Sequence, residues 1–187
     1  MNRWFVCLFI LLTACSTTTP PPEKSEQSNP LGADVEILAN LPPVDCTSGS
    51  TPAGSQGDDY LPNSPETTNL YPQGSSARKL ILAGTVVNMD CFPIPHAHLD
   101  FWQANEAGNS FRGQQYTDNK GRYYLETVYP GISSKEGIQI IHVKVDYPGG
   151  ETLTTQLRFP ESPGDGLTIQ ISESDGDYHG IFNFILK

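Results

Sequence analysis

The chain has 187 residues and a formal net charge of −10, and only 17% of its residues are charged. Gly (17) and Pro (16) make up nearly a fifth of it, a punctuation that argues against a helical bundle and for short strands joined by turns. The acidic balance speaks against a nucleic-acid partner, which selects basic surfaces.

The N-terminus reads as an address. Arg3 precedes the apolar run Phe5–Leu12, FVCLFILL, which is long enough for a signal-peptide core and too short to span a bilayer. The run ends in Leu12-Thr13-Ala14-Cys15, which resembles the bacterial lipobox. That resemblance implies cleavage after residue 14, acylation of Cys15, and export to the cell envelope. With Ser16 after the cysteine, it implies the periplasmic side of the outer membrane in a Gram-negative cell. Two or three acyl chains suffice for anchoring, since each buried CH₂ contributes ~0.8 kcal/mol. Removing residues 1–14 takes away Arg3 and leaves ten basic against twenty-one acidic residues, a charge of −11.

Residues 15–45 are rich in Thr, Pro, Ser and Glu and read as a disordered tether, too polar to offset its ordering entropy. Within it Asp34–Leu41 is a brief helical or extended turn. Residues 46–78 hold turn signals and few apolar side chains. Tyr60, Leu61, Leu70 and Tyr71 suggest that this segment wraps a sheet. Strand texture follows at Leu80–Val87, His96–Gln103, Gly121–Val128, Ile138–Tyr147, Thr152–Phe159, Leu167–Ile171 and Gly180–Leu186. In His96–Gln103 alternation places Ala97, Leu99 and Phe101 on one face and His96, His98, Asp100 and Trp102 on the other. Seven short strands imply an all-β sandwich over residues 46–187. Trp102 is expected to anchor its core.

Once Cys7 is removed with the leader and Cys15 is acylated, Cys46 and Cys91 remain, and an exported chain is expected to pair them.

Read from Gly84, the chain runs GTVVNMDCFPIPHAHLDFWQANEAG, then FRGQQYTDNKGRYYLETVYPG, then IIHVKV and LTTQLRFP. In this order the segments resemble the intradiol ring-cleavage dioxygenases, the protocatechuate and catechol dioxygenase family, over about residues 46–187. The resemblance implies a mixed-topology β-sandwich. It also implies a non-haem ferric site of two tyrosinates and two histidines that activates a catechol toward O₂ and ring cleavage. Hard phenolate oxygens suit a ferric ion, as does imidazole.

Carried over residue by residue, that ligand set is nearly absent. The loop after the WQANxxG turn, Asn109-Ser110-Phe111, has no tyrosine. Ser133 stands at the second tyrosine. His142 is the second histidine with Ile140 in place of the first; in the other register His142 is the first and Lys144 replaces the second. The arginine expected near Gly137 is missing. His96 and His98, at i and i+2 of a strand, are possible substitute ligands, and Tyr116, Tyr123, Tyr124 and Tyr129 lie near in sequence. His96 and His98 otherwise read as a solvated outer face, and His142 as a buried relic. Arg112 suits a carboxylate or a ring in a cleft, or a surface ion pair.

Three functions follow. One is an envelope lipoprotein whose degenerate domain, holding no cofactor, binds an aromatic small molecule or an envelope protein. The second is an active dioxygenase holding Fe(III) with an unusual ligand set. The third is a structural envelope protein.

Overall fold

The computed structural model describes residues 35–187 except 58, 106, 134 and 135. The leader, Cys15 and the first part of the tether lie outside the described residues.

Among the described residues nine strands follow one short helix, α1 (Val35–Ala39): β1 (Lys79–Asn88), β2 (His98–Ala104), β3 (Ser110–Tyr116), β4 (Arg122–Val128), β5 (Ile140–Asp146), β6 (Leu153–Arg158), β7 (Gln170–Ser174), β8 (Asp177–Ile181) and β9 (Phe184–Leu186). They form the expected all-β sandwich. One sheet has the order β4-β1-β8-β7, with β9 also on β1; the other runs β3-β2-β5-β6. The topology is mixed: β1 pairs antiparallel with β4 but parallel with β8 and β9. β5 lies between β2 and β6, antiparallel to both, and turns Ile141, Val143 and Val145 into the core.

The inner faces meet in a core that includes Leu80, Leu82, Leu99, Phe101, Tyr123, Ile141, Val143, Leu157, Phe159 and Phe184. Ala97, Leu99 and Phe101 belong to it as the alternation predicts. Trp102 does not: it sits on the opposite face of its sheet. His96 is not in a strand; it is exposed in a turn at φ 55°.

The outer face of β1 and β4 is also covered. Leu38 is buried with Ile81, Ala83 and Tyr124, and Ile37 and Leu41 pack beside them. Residues ahead of Cys46 thus pack on the sandwich. Arg122 secures this layer. Its Nη1 donates to the Leu38 carbonyl at 2.9 Å, while Nη2 lies 2.5 Å from Asp118 Oδ2. Burial alone would raise the Asp118 pKa. Hydrogen bonds from the Arg122 side chain and from the Arg122 and Lys120 N–H groups, with the guanidinium charge, hold it below the usual carboxylate range.

Cys46 and Cys91 form a disulfide, Cα–Cα 5.9 Å, closing a separation of 45 residues. The chain-entropy model gives such a loop about 4 kcal/mol. The long segment after Cys46 wraps the sheets through bridges at Glu66–Gln114 and Asn69–Glu126, with Leu70 packed against the core. Leu61 departs from the expectation and is 56% exposed.

Gly84 is where β1 passes from β8 to β9. Phe182 N–H bonds the Ala83 carbonyl at 3.1 Å, and the Tyr123 hydroxyl donates to the Phe182 carbonyl at 2.8 Å. A Cβ on Gly84 would overlap the Phe182 oxygen and lie 2.7 Å from its carbonyl carbon. Backbone cannot yield there as a flexible side chain would. Gly84→Ala should therefore lower stability by about 3 kcal/mol or more, read as a fall in the urea midpoint; an unchanged midpoint would remove this crossing from the account.

Candidate functional site

The outer face of β3-β2-β5-β6 carries the site. Trp102 on β2 pairs in register with His142 on β5, and their rings stack at 5.3 Å with 5° between planes. The two rings need a cover, and residues 51–57 supply it as a strap. Its start is tied to the C-terminus, Thr51 N–H to the Ile185 carbonyl and Ile185 N–H to Thr51 Oγ1, both at 2.8 Å. Gly54 N–H bonds the Thr154 carbonyl, and Thr155 Oγ1 donates to the Pro52 carbonyl, again at 2.8 Å. Two strap carbonyls then take the ring nitrogens below: Trp102 Nε1 donates to Gln56 at 3.2 Å, and His142 Nδ1 lies 3.2 Å from the Ser55 oxygen. Tyr60 closes over the other side of Trp102 at 4.8 Å. Arg112 Nη1 donates to the Leu61 carbonyl at 3.3 Å, so it holds the chain beyond the strap.

This geometry determines the state of His142. A carbonyl can only accept, so Nδ1 carries the proton and Nε2 is bare in the neutral ring. Burial lowers the His142 pKa, opposed by the Ser55 bond and the carboxylates of Glu136 and Asp59. Nε2 faces Glu136 Oε1 at 3.7 Å. Glu136 in turn accepts from Gln156 Nε2 at 3.2 Å, and Gln156 Oε1 accepts from Arg158 at 3.2 Å.

Beside His142 opens a cleft of about 360 Å³, lined by Asp59, Leu61, Trp102, Gln103, Ala104, Gly108, Ser110, Gly131, Ser133, Ile140 and His142. Ser133, Ile140 and His142 were expected at one site from the resemblance, and the fold brings them to one cleft. The loop expected to carry the first tyrosine delivers Ser110 to the same place.

The substitute ligands do not join them. His98 pairs with Asp146, four residues along β5 from His142, about 13 Å away at ~3.3 Å per residue. It is partly buried, with Nε2 2.8 Å from Gln114 Oε1 and its ring 5.2 Å from Tyr116. Tyr123 is in the core, Tyr124 lies under α1, and Tyr129 packs on Phe159 and Tyr178. Among the described residues no group of three His, Cys, Asp or Glu side chains is arranged to hold a metal ion.

No protein-family model matches the chain. Among solved structures it resembles the dioxygenase domain of a dioxygenase carbohydrate-binding protein fusion from Streptomyces sp. SirexAA-E, at 32% identity and a TM-score of 0.70, over 74% of this chain and 99% of that one. The chain belongs to the intradiol dioxygenase-like family. The same fold is seen in 3-chlorocatechol 1,2-dioxygenase from Rhodococcus opacus, at 24% identity, a TM-score of 0.65, and 73% and 72% coverage. Sequence relatives include a putative dioxygenase of Rickettsia conorii, 27% identical over 54% of this chain and 62% of that protein. Catechol 1,2-dioxygenase of Candida albicans is 28% identical over 62% and 49%. The chain thus spans less than two thirds of these relatives.

The ferric ion of the intradiol enzymes does not fit this cleft. Ile140 offers no donor atom. Ser133 carries an alkyl hydroxyl where the resemblance implies a phenol, which ionises far more readily, and Ser110 adds only another alkyl hydroxyl. The remaining imidazole has Nδ1 bonded to Ser55, and its Nε2 side is crowded by the strap.

That crowding centres on Gly57, at φ 68°, where a Cβ would lie 2.9 Å from His142 Cε1 and 3.1 Å from Nε2. Gly57→Ala combines a disfavoured backbone with a ring clash. We expect a loss of about 1–3 kcal/mol, with a red shift of Trp102 emission as the strap lifts. Unchanged stability and emission would mean that the strap does not press on the ring.

Proposed function

We propose that this chain is an envelope lipoprotein whose intradiol-type domain is a binding or interaction module rather than a ring-cleaving enzyme. One observation carries the reading: at the place where the resemblance implies a ferric site, Ser110, Ser133 and Ile140 line the cleft with His142, whose Nδ1 is committed to the strap. Intradiol chemistry needs an ion that binds both catechol oxygens, and a lone imidazole cannot hold one in defined geometry. An active dioxygenase would need a ligand set drawn from elsewhere, and neither His98 nor His96 reaches the cleft. A purely structural role leaves an open cleft of this size unexplained.

The test is iron and colour. The full chain, purified and then incubated with ferric ion, should be colourless and iron-free, and should leave catechol unconsumed. A stoichiometric ferric ion with a visible tyrosinate band would overturn the reading.

The anchor is tested separately. Cys15 should take up labelled palmitate, and Cys15→Ala should abolish both the labelling and the membrane fraction of the protein. In a Gram-negative host the label should follow the outer membrane. Labelling that persists in the variant would refute attachment at Cys15.

A further inference from the structure

The cleft opens at one end of the sandwich, where Ala104 pairs with Ser110 and where β5 begins at Ile140. The opposite end carries an apolar turn that the cleft does not use. There β1 ends at Asn88, β2 starts at His98, and β3 ends at Tyr116, the partner of His98. Between Asn88 and His98, Met89 is 47% exposed and Phe92 67%; Tyr116, at the same end, is 47% exposed. The turn is held in shape. Asn88 Oδ1 accepts from the N–H groups of Asp90 and Phe92 at 3.0 and 2.9 Å, and Asn88 N–H donates to the Phe92 carbonyl at 3.0 Å. Cys91 sits at φ 63° and His96 at φ 55°, a conformation that non-glycine residues adopt at a cost. The disulfide to Cys46 fixes the turn from outside. A phenylalanine is thus braced outward, where a looser loop would let it fold back onto the protein.

The same disulfide joins the turn to the segment that leads back to the anchor. Twenty positions separate Cys15 from Val35, so an acylated Cys15 keeps the domain within at most about 70 Å of the bilayer. Inside that reach, a contact too weak to hold a free protein becomes effectively intramolecular. Lys120 precedes Gly121, which abuts Pro93 and Ile94. Exposed Asp45 and Asp90 outnumber exposed Lys120 around the turn, which favours a zwitterionic lipid surface over an anionic one.

We propose that the turn from Met89 to Ile94 is a membrane-contact site. Phe92 and Met89 enter the headgroup boundary of a zwitterionic bilayer, Tyr116 lies at its edge, and the cleft faces away from the lipid. The proposal rests on the anchor at Cys15.

The test places the acylated mature chain in phosphatidylcholine vesicles, with and without bromine on the acyl chains. The bromines sit near the headgroup end, since interfacial apolar side chains reach only about 5–10 Å deep. Cleavage after residue 14 removes Trp4 and leaves Trp102 as the background emission. Phe92→Trp adds a reporter on the turn, and Ile132→Trp adds one at the cleft end. Both positions are exposed, so the fold should accept either change. The added emission of Phe92→Trp should be blue-shifted and quenched about twofold or more by brominated lipid. Ile132→Trp and the wild type should be unquenched. A chain that does not float with the vesicles would overturn the anchor and this proposal with it. A chain that floats with Phe92→Trp unquenched, or with Ile132→Trp quenched as strongly, would overturn the membrane contact and leave the anchor standing. A blue shift of Phe92→Trp without quenching would assign the turn to a second copy of the chain and overturn the proposal in the same way.

Discussion

The stacked pair of Trp102 and His142 is the contact on which the site is built. Two large rings on the outer face of a sheet need either solvent or a cover, and each ring carries a polar nitrogen that must be satisfied once covered. The strap meets both needs with its own backbone, through the carbonyls of Ser55 and Gln56. Because backbone rather than side chain makes these bonds, the strap must approach closely, and Gly54 and Gly57 are where it does so. The tautomer of His142, the face it shows to Glu136 and the position of the cleft wall all follow from that approach.

Much of the fold was legible. The apolar runs of β1 and β5, the alternation of β2 and the turns between them imply a sandwich, and the resemblance supplies its topology. The polar strand β3, SFRGQQY, escaped because it is half exposed and lies at a sheet edge, where a loop covers it in place of another strand. The five-residue α1 is too short to show a helical period, so Leu38 could not be told from the surrounding tether.

The site was legible by resemblance more than by pattern. Ser133, Ile140 and His142 meet because the family's register carries over. Ser110 and Glu136 were both within reach: one opens the strand after the WQANxxG turn, the other adjoins the missing arginine. Trp102 was misplaced for an instructive reason. Its aromatic character suggests a core residue, yet the alternation that puts Leu99 and Phe101 inward requires Trp102 to face outward. The period was right, and the burial came from the strap, which forms a second covered layer that no local signal in β2 announces.

The departures from the family's ligand set also make sense as one change. A ferric ion brings a large positive charge, and tyrosinates and a bound catechol balance it. Without the ion, phenols at those places would be neutral and bulky. Ser133 and Ile140, at the places where the resemblance implies a tyrosine and a histidine, remove a phenol and an imidazole together. Gln156 donates to Glu136 and accepts from Arg158, so that carboxylate is held by hydrogen bonds rather than left bare. What results is a cleft of apolar walls and small hydroxyls beside His142, on the outer face of the sandwich.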